Sequence, residues 1–165
     1  MAEQFTHENT PKSKHNKEIH LLLNFITSPA NLGAIFRLAD AFGVSCVYLS
    51  TQQEFLLESN RFKRMSRSTE KSLKIQLTDE PISLMQKKKS EAFSCLALEL
   101  TDQSVPVSQI NFPDKILLIL GAENHGIPND ILSNSDHAMH IPIYGNNSSM
   151  NVAQATAITL YEIIR

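Results

Sequence analysis

Two rhythms of apolar positions alternate along this chain of 165 residues. Short, nearly unbroken apolar runs recur at Ile19–Ile26, Ser45–Leu49, Leu73–Leu77, Ala92–Leu98, Lys115–Leu120 and His137–Ile143, and they predict strands. Between them the apolar positions take helical spacing, which predicts helices over Leu32–Phe42, Gln52–Asn60, Pro81–Lys89, Pro128–Asn134 and Ser149–Ile164. The run Ile116-Leu117-Leu118-Ile119-Leu120 has no polar alternation at all. Strands of that kind are covered on both faces, so the pattern predicts an α/β fold around a parallel sheet. Residues 1–18 hold almost nothing apolar beyond Phe5, and are expected to form a flexible tail before a single domain at 19–165.

The first predicted helix raises a question. Ile35, Leu38, Ala39 and Phe42 form its apolar stripe, Asn31 is placed to cap its start, and Gly43 to stop it. Arg37 projects opposite that stripe. It reads either as an exposed i,i+3 partner of Asp40 or as a functional arginine, with Ala34 and Ala41 leaving room for a ligand beside it. The last helix, with Ser149 as its expected cap, carries two apolar stripes: Val152, Ala155, Thr156, Thr159 and Ile163, and Ala153, Ala157, Leu160 and Ile164. One stripe can lie on the sheet; the other calls for a second subunit. Asn151, in its first turn, reads as a local cap.

Composition is ordinary for a soluble globular chain, 42% hydrophobic and 19% charged. Cys46 and Cys95 lie far apart inside apolar runs, which fits two buried thiols in a reducing cytosol and gives no metal spacing. His137 and His140 are three apart on an expected strand and point to opposite faces, so no metal is expected there either. No apolar stretch approaches membrane-spanning length, and the N-terminus lacks a signal-peptide core, so a cytoplasmic location is expected. Net charge is −2, yet residues 61–89 hold nine Lys or Arg against three acids. That segregation is either a solvated face or a patch for a polyanion, with Arg61, Lys63, Arg64 and Arg67 at its head.

Ligands of open α/β sheets bind past the carboxyl ends of strands. Three segments occupy such places: Ser28–Gly33, Gly121–Gly126 and Gly145–Asn151, each rich in Gly, Asn or Ser. The middle one, G-A-E-N-H-G, has neither the Lys of a phosphate loop nor the spacing of a dinucleotide fingerprint.

In this order, N-L-G-A-I-F-R-L-A at 31–39, G-A-E-N-H-G at 121–126 and I-P-I-Y-G…S-S-M-N-V-A-Q-A at 141–155 resemble the three motifs of the SpoU (TrmH-like) branch of the SPOUT RNA methyltransferases. The resemblance covers residues 19–165 and implies a parallel-sheet α/β fold with a C-terminal deep trefoil knot, a homodimer, and S-adenosylmethionine as methyl donor. It implies transfer to a ribose 2′-hydroxyl of tRNA or rRNA, with Arg37 as the catalytic residue and Asn31, Glu123, Ser149 and Asn151 as its polar company. The cofactor would be read near Leu98, Leu120, Gly121, Ile141 and Met150. A guanidinium is a poor base. Arg37 would therefore either polarise the hydroxyl, while a phosphate or Glu123 takes the proton, or clamp phosphate and ribose. The chain departs from the family pattern at Met150, where Leu is usual, at Ala153, at Ile143, and at Ser66–Ser72, which lacks an S-x-G-A. The alternative from another class is a catalytically inactive RNA-binding or regulatory relative, which would bind cofactor without transferring methyl.

Overall fold

The computed structural model describes residues 9–165. Its strands are β1 (Glu18–Leu23), β2 (Cys46–Leu49), β3 (Ile75–Leu77), β4 (Ser94–Leu98), β5 (Val105–Pro106), β6 (Lys115–Leu120) and β7 (His137–His140). They form one seven-stranded sheet in the order β3-β2-β1-β6-β4-β7-β5, with every neighbouring pair parallel. β6 lies between β1 and β4, in register with β1 from Glu18↔Lys115 to Leu23↔Leu120. Its five residues from Ile116 to Leu120 are fully buried, which is why that run shows no alternation.

Helices α1 (Pro29–Ala41), α2 (Asn60–Ser66) and α5 (Val152–Ile164) cover one face, over Leu21, Leu118 and Leu96. Helices α3 (Pro81–Ser90) and α4 (Asn129–Asn134) cover the other, over Leu22, Leu117 and Cys95. Both cysteines are free and buried, and burial pushes the Cys95 thiol up to about 11.

Several boundaries move for physical reasons. β1 stops at Leu23 rather than Ile26, because Asn24 N–H takes the last ladder acceptor, Leu120 O, and Phe25 then turns left-handed at φ +60°. β7 ends at His140 instead of Ile143. α1 begins at Pro29, not Leu32: Ser28 caps it and Pro29 opens it, a stronger start than the expected Asn31 cap. α5 is capped by Asn151 rather than Ser149. The expected helix Gln52–Asn60 is a 3-10 helix over Thr51–Glu58, and Ser59 then starts α2, which the charged run 61–67 concealed. β5 is a two-residue edge strand ending in Pro106, too short to carry a period.

Within α5, Leu160 is fully buried in its own chain, so the second stripe does not face outward as expected. The outward apolar residues are Ile158 and Tyr161. Residues 1–8 of the expected tail lie outside the described residues. Farther on, His15 Nε2 lies 2.8 Å from the Phe42 carbonyl oxygen, and Lys17 donates to Phe112 O at 2.7 Å. No helix among the described residues is long and apolar enough to cross a membrane.

Candidate active site

The carboxyl ends of the three central strands, β1, β6 and β4, lie side by side at one end of the sheet, and the segment before α5 lines a cavity with the residues there. Because Ser28 takes the capping role, the Asn31 side chain is free to leave the helix. It donates to Glu123 Oε1 at 3.0 Å and accepts from Asn151 Nδ2 at 3.0 Å. Asn151 in turn uses its oxygen to cap α5, accepting from Ala153 N–H at 2.9 Å. The local reading of Asn151 is thus half the answer: one end of the amide caps, the other bridges.

Glu123 is held out by its loop. Ala122 and Gly126 exchange backbone hydrogen bonds of 3.2 and 2.9 Å, closing the G-A-E-N-H-G turn on itself. A Cβ on Gly121 would stand 2.5 Å from the Gly126 carbonyl carbon and 2.7 Å from Ile127 N, so this close crossing requires glycine. The Glu123 carboxylate accepts from Thr27 N–H, the Thr27 hydroxyl, Ser28 N–H and Asn31, at 3.0 to 3.2 Å. Burial alone would raise its pKa, but the bond from Asn31 and those from the Thr27 and Ser28 backbone outweigh it and hold the carboxyl below its ordinary value. A carboxylate so engaged is a brace. It is a poor general base, because its lone pairs are already occupied.

These groups line a cavity of about 440 Å³, a size in the range of small-ligand sites. Asn31, Glu123, Ser149 and Asn151 all reach it, as do Leu98, Gly121 and Met150. Two of the expected cofactor residues do not line it: Leu120 is fully buried and its carbonyl is taken by Asn24, while Ile141 packs against the core. Ser149, Met150 and Asn151 also border a second cavity of about 380 Å³ with Gly145 and Asn146.

One polar cavity residue, Glu99, lies outside the three motifs and outside the residues expected from sequence. Glu99, directly after β4, lines it and accepts from Ile127 N–H at 2.9 Å and Leu100 N–H at 3.1 Å, tying two strand ends together. Its signal was present, a carboxylate at a strand's carboxyl end, but no glycine or asparagine marks that loop. The donor and acceptor set fits S-adenosylmethionine: the Glu99 and Glu123 carboxylates for a sulfonium, the close backbone at Gly121, and the Met150 side chain for an aromatic face.

Arg37 stands apart from the cavity on the exposed side of α1, with no hydrogen-bond or ion-pair partner among the described residues. The bland pairing does not form, since Asp40 accepts instead from the Ser72 hydroxyl at 2.9 Å. The basic run divides. Lys88 is buried and Lys89 pairs with Asp136 at 2.8 Å, whereas Arg61, Lys63, Arg64 and Arg67 are exposed on α2 and its C-cap. Of those four, Lys63 pairs with Glu58 at 2.7 Å. The three arginines have no ion-pair partner among the described residues.

A model described as the SpoU rRNA Methylase family matches residues 18–161. The tRNA (guanosine(18)-2'-O)-methyltransferase of Saccharomyces cerevisiae is 34% identical over 148 residues, covering 87% of this chain and 10% of that protein. The chain therefore spans about a tenth of that relative's length. The crystal structure of the A. aeolicus TrmH/SpoU tRNA modifying enzyme superposes with a TM-score of 0.80 at 25% identity, covering 90% of this chain and 76% of that one. An AdoMet-bound rRNA methyltransferase from Sinorhizobium meliloti does so with a TM-score of 0.77 at 26% identity, covering 91% of this chain and 57% of that one.

Proposed function

The chain belongs to the SpoU rRNA Methylase family, and on that premise we propose that it transfers a methyl group from S-adenosylmethionine to a ribose 2′-hydroxyl of tRNA or rRNA. The observation that carries this reading is the bridge Glu123–Asn31–Asn151, which joins three motifs up to 120 residues apart at one cavity mouth. When bound, S-adenosylmethionine supplies an electrophilic methyl on a sulfonium. The chain's own contribution is alignment. Asn31 and Asn151 fix the cavity wall, Ser149 offers a hydroxyl with no partner among the described residues, and Gly121 lets backbone come close.

Arg37 lies six residues beyond Asn31, about 9 Å along the helix axis, and so meets the RNA rather than the cofactor. Its fork suits a phosphate oxygen and the ribose together. With Glu123 fully engaged, the 2′-hydroxyl proton goes to a phosphate oxygen of the substrate, which Arg37 holds in place. The outward Ile158 and Tyr161 beside Ala157 support a homodimer built on α5. The insertion of β6 and β7 on either side of β4 supports the deep trefoil knot.

The test incubates the purified protein with methyl-labelled S-adenosylmethionine and either tRNA or rRNA, then maps linkages resistant to alkaline hydrolysis. Resistant, labelled linkages are expected. Cofactor and RNA binding without any transfer would overturn the reading in favour of an inactive relative.

A further inference from the structure

We propose that Phe25 is a base-stacking residue, holding an unstacked RNA base at the mouth of the candidate active site; this rests on the RNA methyltransferase reading above. Among the described residues, Phe25, Arg67, Ser68 and Ala92 are the non-glycine residues with positive φ, and Phe25 is the aromatic one. A bulky side chain is disfavoured at φ +60°, where Gly or Asn sits easily. Burial does not offset that cost, because Phe25 is 43% exposed.

Every neighbour of Phe25 has a structural employment. Asn24 N–H closes the ladder on Leu120 O, and Ile26 is fully buried. The Ile26 carbonyl accepts from the buried Gln53 side chain at 2.9 Å, and the Thr27 and Ser28 N–H groups hold Glu123. Phe25 alone turns an apolar side chain outward from a loop otherwise tied on both sides. An exposed aromatic kept on an unfavourable backbone, two residues before Thr27, whose N–H and hydroxyl hold Glu123, is what strain at a ligand contact looks like.

The surroundings decide which ligand. Gln53 pins the 3-10 helix Thr51–Glu58 against the Phe25 loop, and on that helix Phe55 is 71% exposed. The chain then runs into α2, whose Arg61 and Arg64, with Arg67 at its C-cap, are exposed and lack ion-pair partners among the described residues. Aromatic faces beside unpaired cations match single-stranded RNA, whose bases stack on rings while its phosphates meet the arginines. A protein partner would be served by the aromatics but would leave the arginines unmatched.

The chain contains no tryptophan, so Phe25→Trp introduces its sole indole. Titrating that variant with a short unstructured oligoribonucleotide is expected to quench its emission, while S-adenosylmethionine alone leaves the emission unchanged. In parallel, Phe25→Asn is expected to raise the melting temperature, because it relieves the left-handed strain, and to weaken RNA binding roughly tenfold. Cofactor affinity should not move. Wild-type RNA affinity in Phe25→Asn, or an unquenched indole in a variant that still binds RNA, would overturn the assignment of Phe25 alone. A wild-type protein that neither binds RNA nor transfers methyl would overturn the underlying reading with it.

Discussion

The polar groups at the carboxyl ends of the strands and those beneath α3 are opposites in construction. At the strand ends Glu123, Asn31 and Asn151 are accessible, and their side chains are linked to one another and to backbone. Beneath α3, His20 and Lys88 are both 7% exposed. Lys88 reaches Glu91 at 2.6 Å with its amine 4.7 Å from the Phe93 ring centroid, and His20 leans on the same ring at 4.6 Å. Yet His20 Nδ1, a buried nitrogen, has no partner among the described residues. Exposed hydrogen bonds contribute little to folding, so an interlocked exposed network marks a site. A buried and incompletely satisfied cluster marks a stability liability.

The comparison breaks most visibly at Arg37. Arg37→Ala is expected to lower single-turnover methyl transfer by about a hundredfold or more, while stability changes by less than about 0.5 kcal/mol. Arg37→Lys should lose most of the same activity, since an ammonium lacks the planar fork. Chemical denaturation beside the transfer assay checks both halves. A large loss of stability would place Arg37 among structural residues.

The α3 side should answer to pH instead. Burial, then the charge of Lys88, lowers the His20 pKa from 6.5 to about 4. The unfolded chain takes up a proton below pH 6.5 that the folded chain refuses until about pH 4. Stability is therefore full above pH 6.5 and falls between those values, by on the order of 3 kcal/mol. The lowered Glu91 and Glu123 carboxyls lose their contributions only below the ordinary carboxylate range, so the upper part of the window isolates His20. Denaturant midpoints from pH 7 to pH 5 should slope downward in the wild type and flatten in His20→Phe.

The smallest effect sharpens the comparison at its edge. Neutralising Arg61, Lys63, Arg64 and Arg67 should leave melting and cofactor binding unchanged. The slope of log affinity for RNA against log salt should flatten by about 0.7 for each phosphate that the variant no longer neutralises. An unchanged slope would make α2 a solvated face.

What the sequence disclosed follows the same division. β6 was read to the residue, because burial on both faces leaves an unbroken apolar run. The turn-rich segments after the strands mark where the site lies, but Asn31, Glu123, Ser149 and Asn151 are legible as one set only through the resemblance to the three family motifs, and all four line the cavity. Glu99, α2 and Phe25 are hidden for different reasons: no turn residue marks the loop of Glu99, the charged run 61–67 masks the helical spacing of α2, and no period records the left-handed backbone of Phe25. The inward stripe of α5 was misread because helical spacing cannot distinguish the chain's own core from a partner's surface; only the packing put Leu160 inside.

The strand order also bears on how the molecule is made. β1 and β4 are neighbours only through β6, which is synthesised after both. A chain that ends before β6 therefore carries two apolar strands with an empty seat between them, and each offers an unpaired edge to any other chain nearby. The seat fills only when Lys115–Leu120 emerges and finds a partner 97 positions upstream, at Glu18. Contacts that distant in sequence form slowly. Nascent chains paused or truncated before residue 115 should thus be the species most dependent on chaperones.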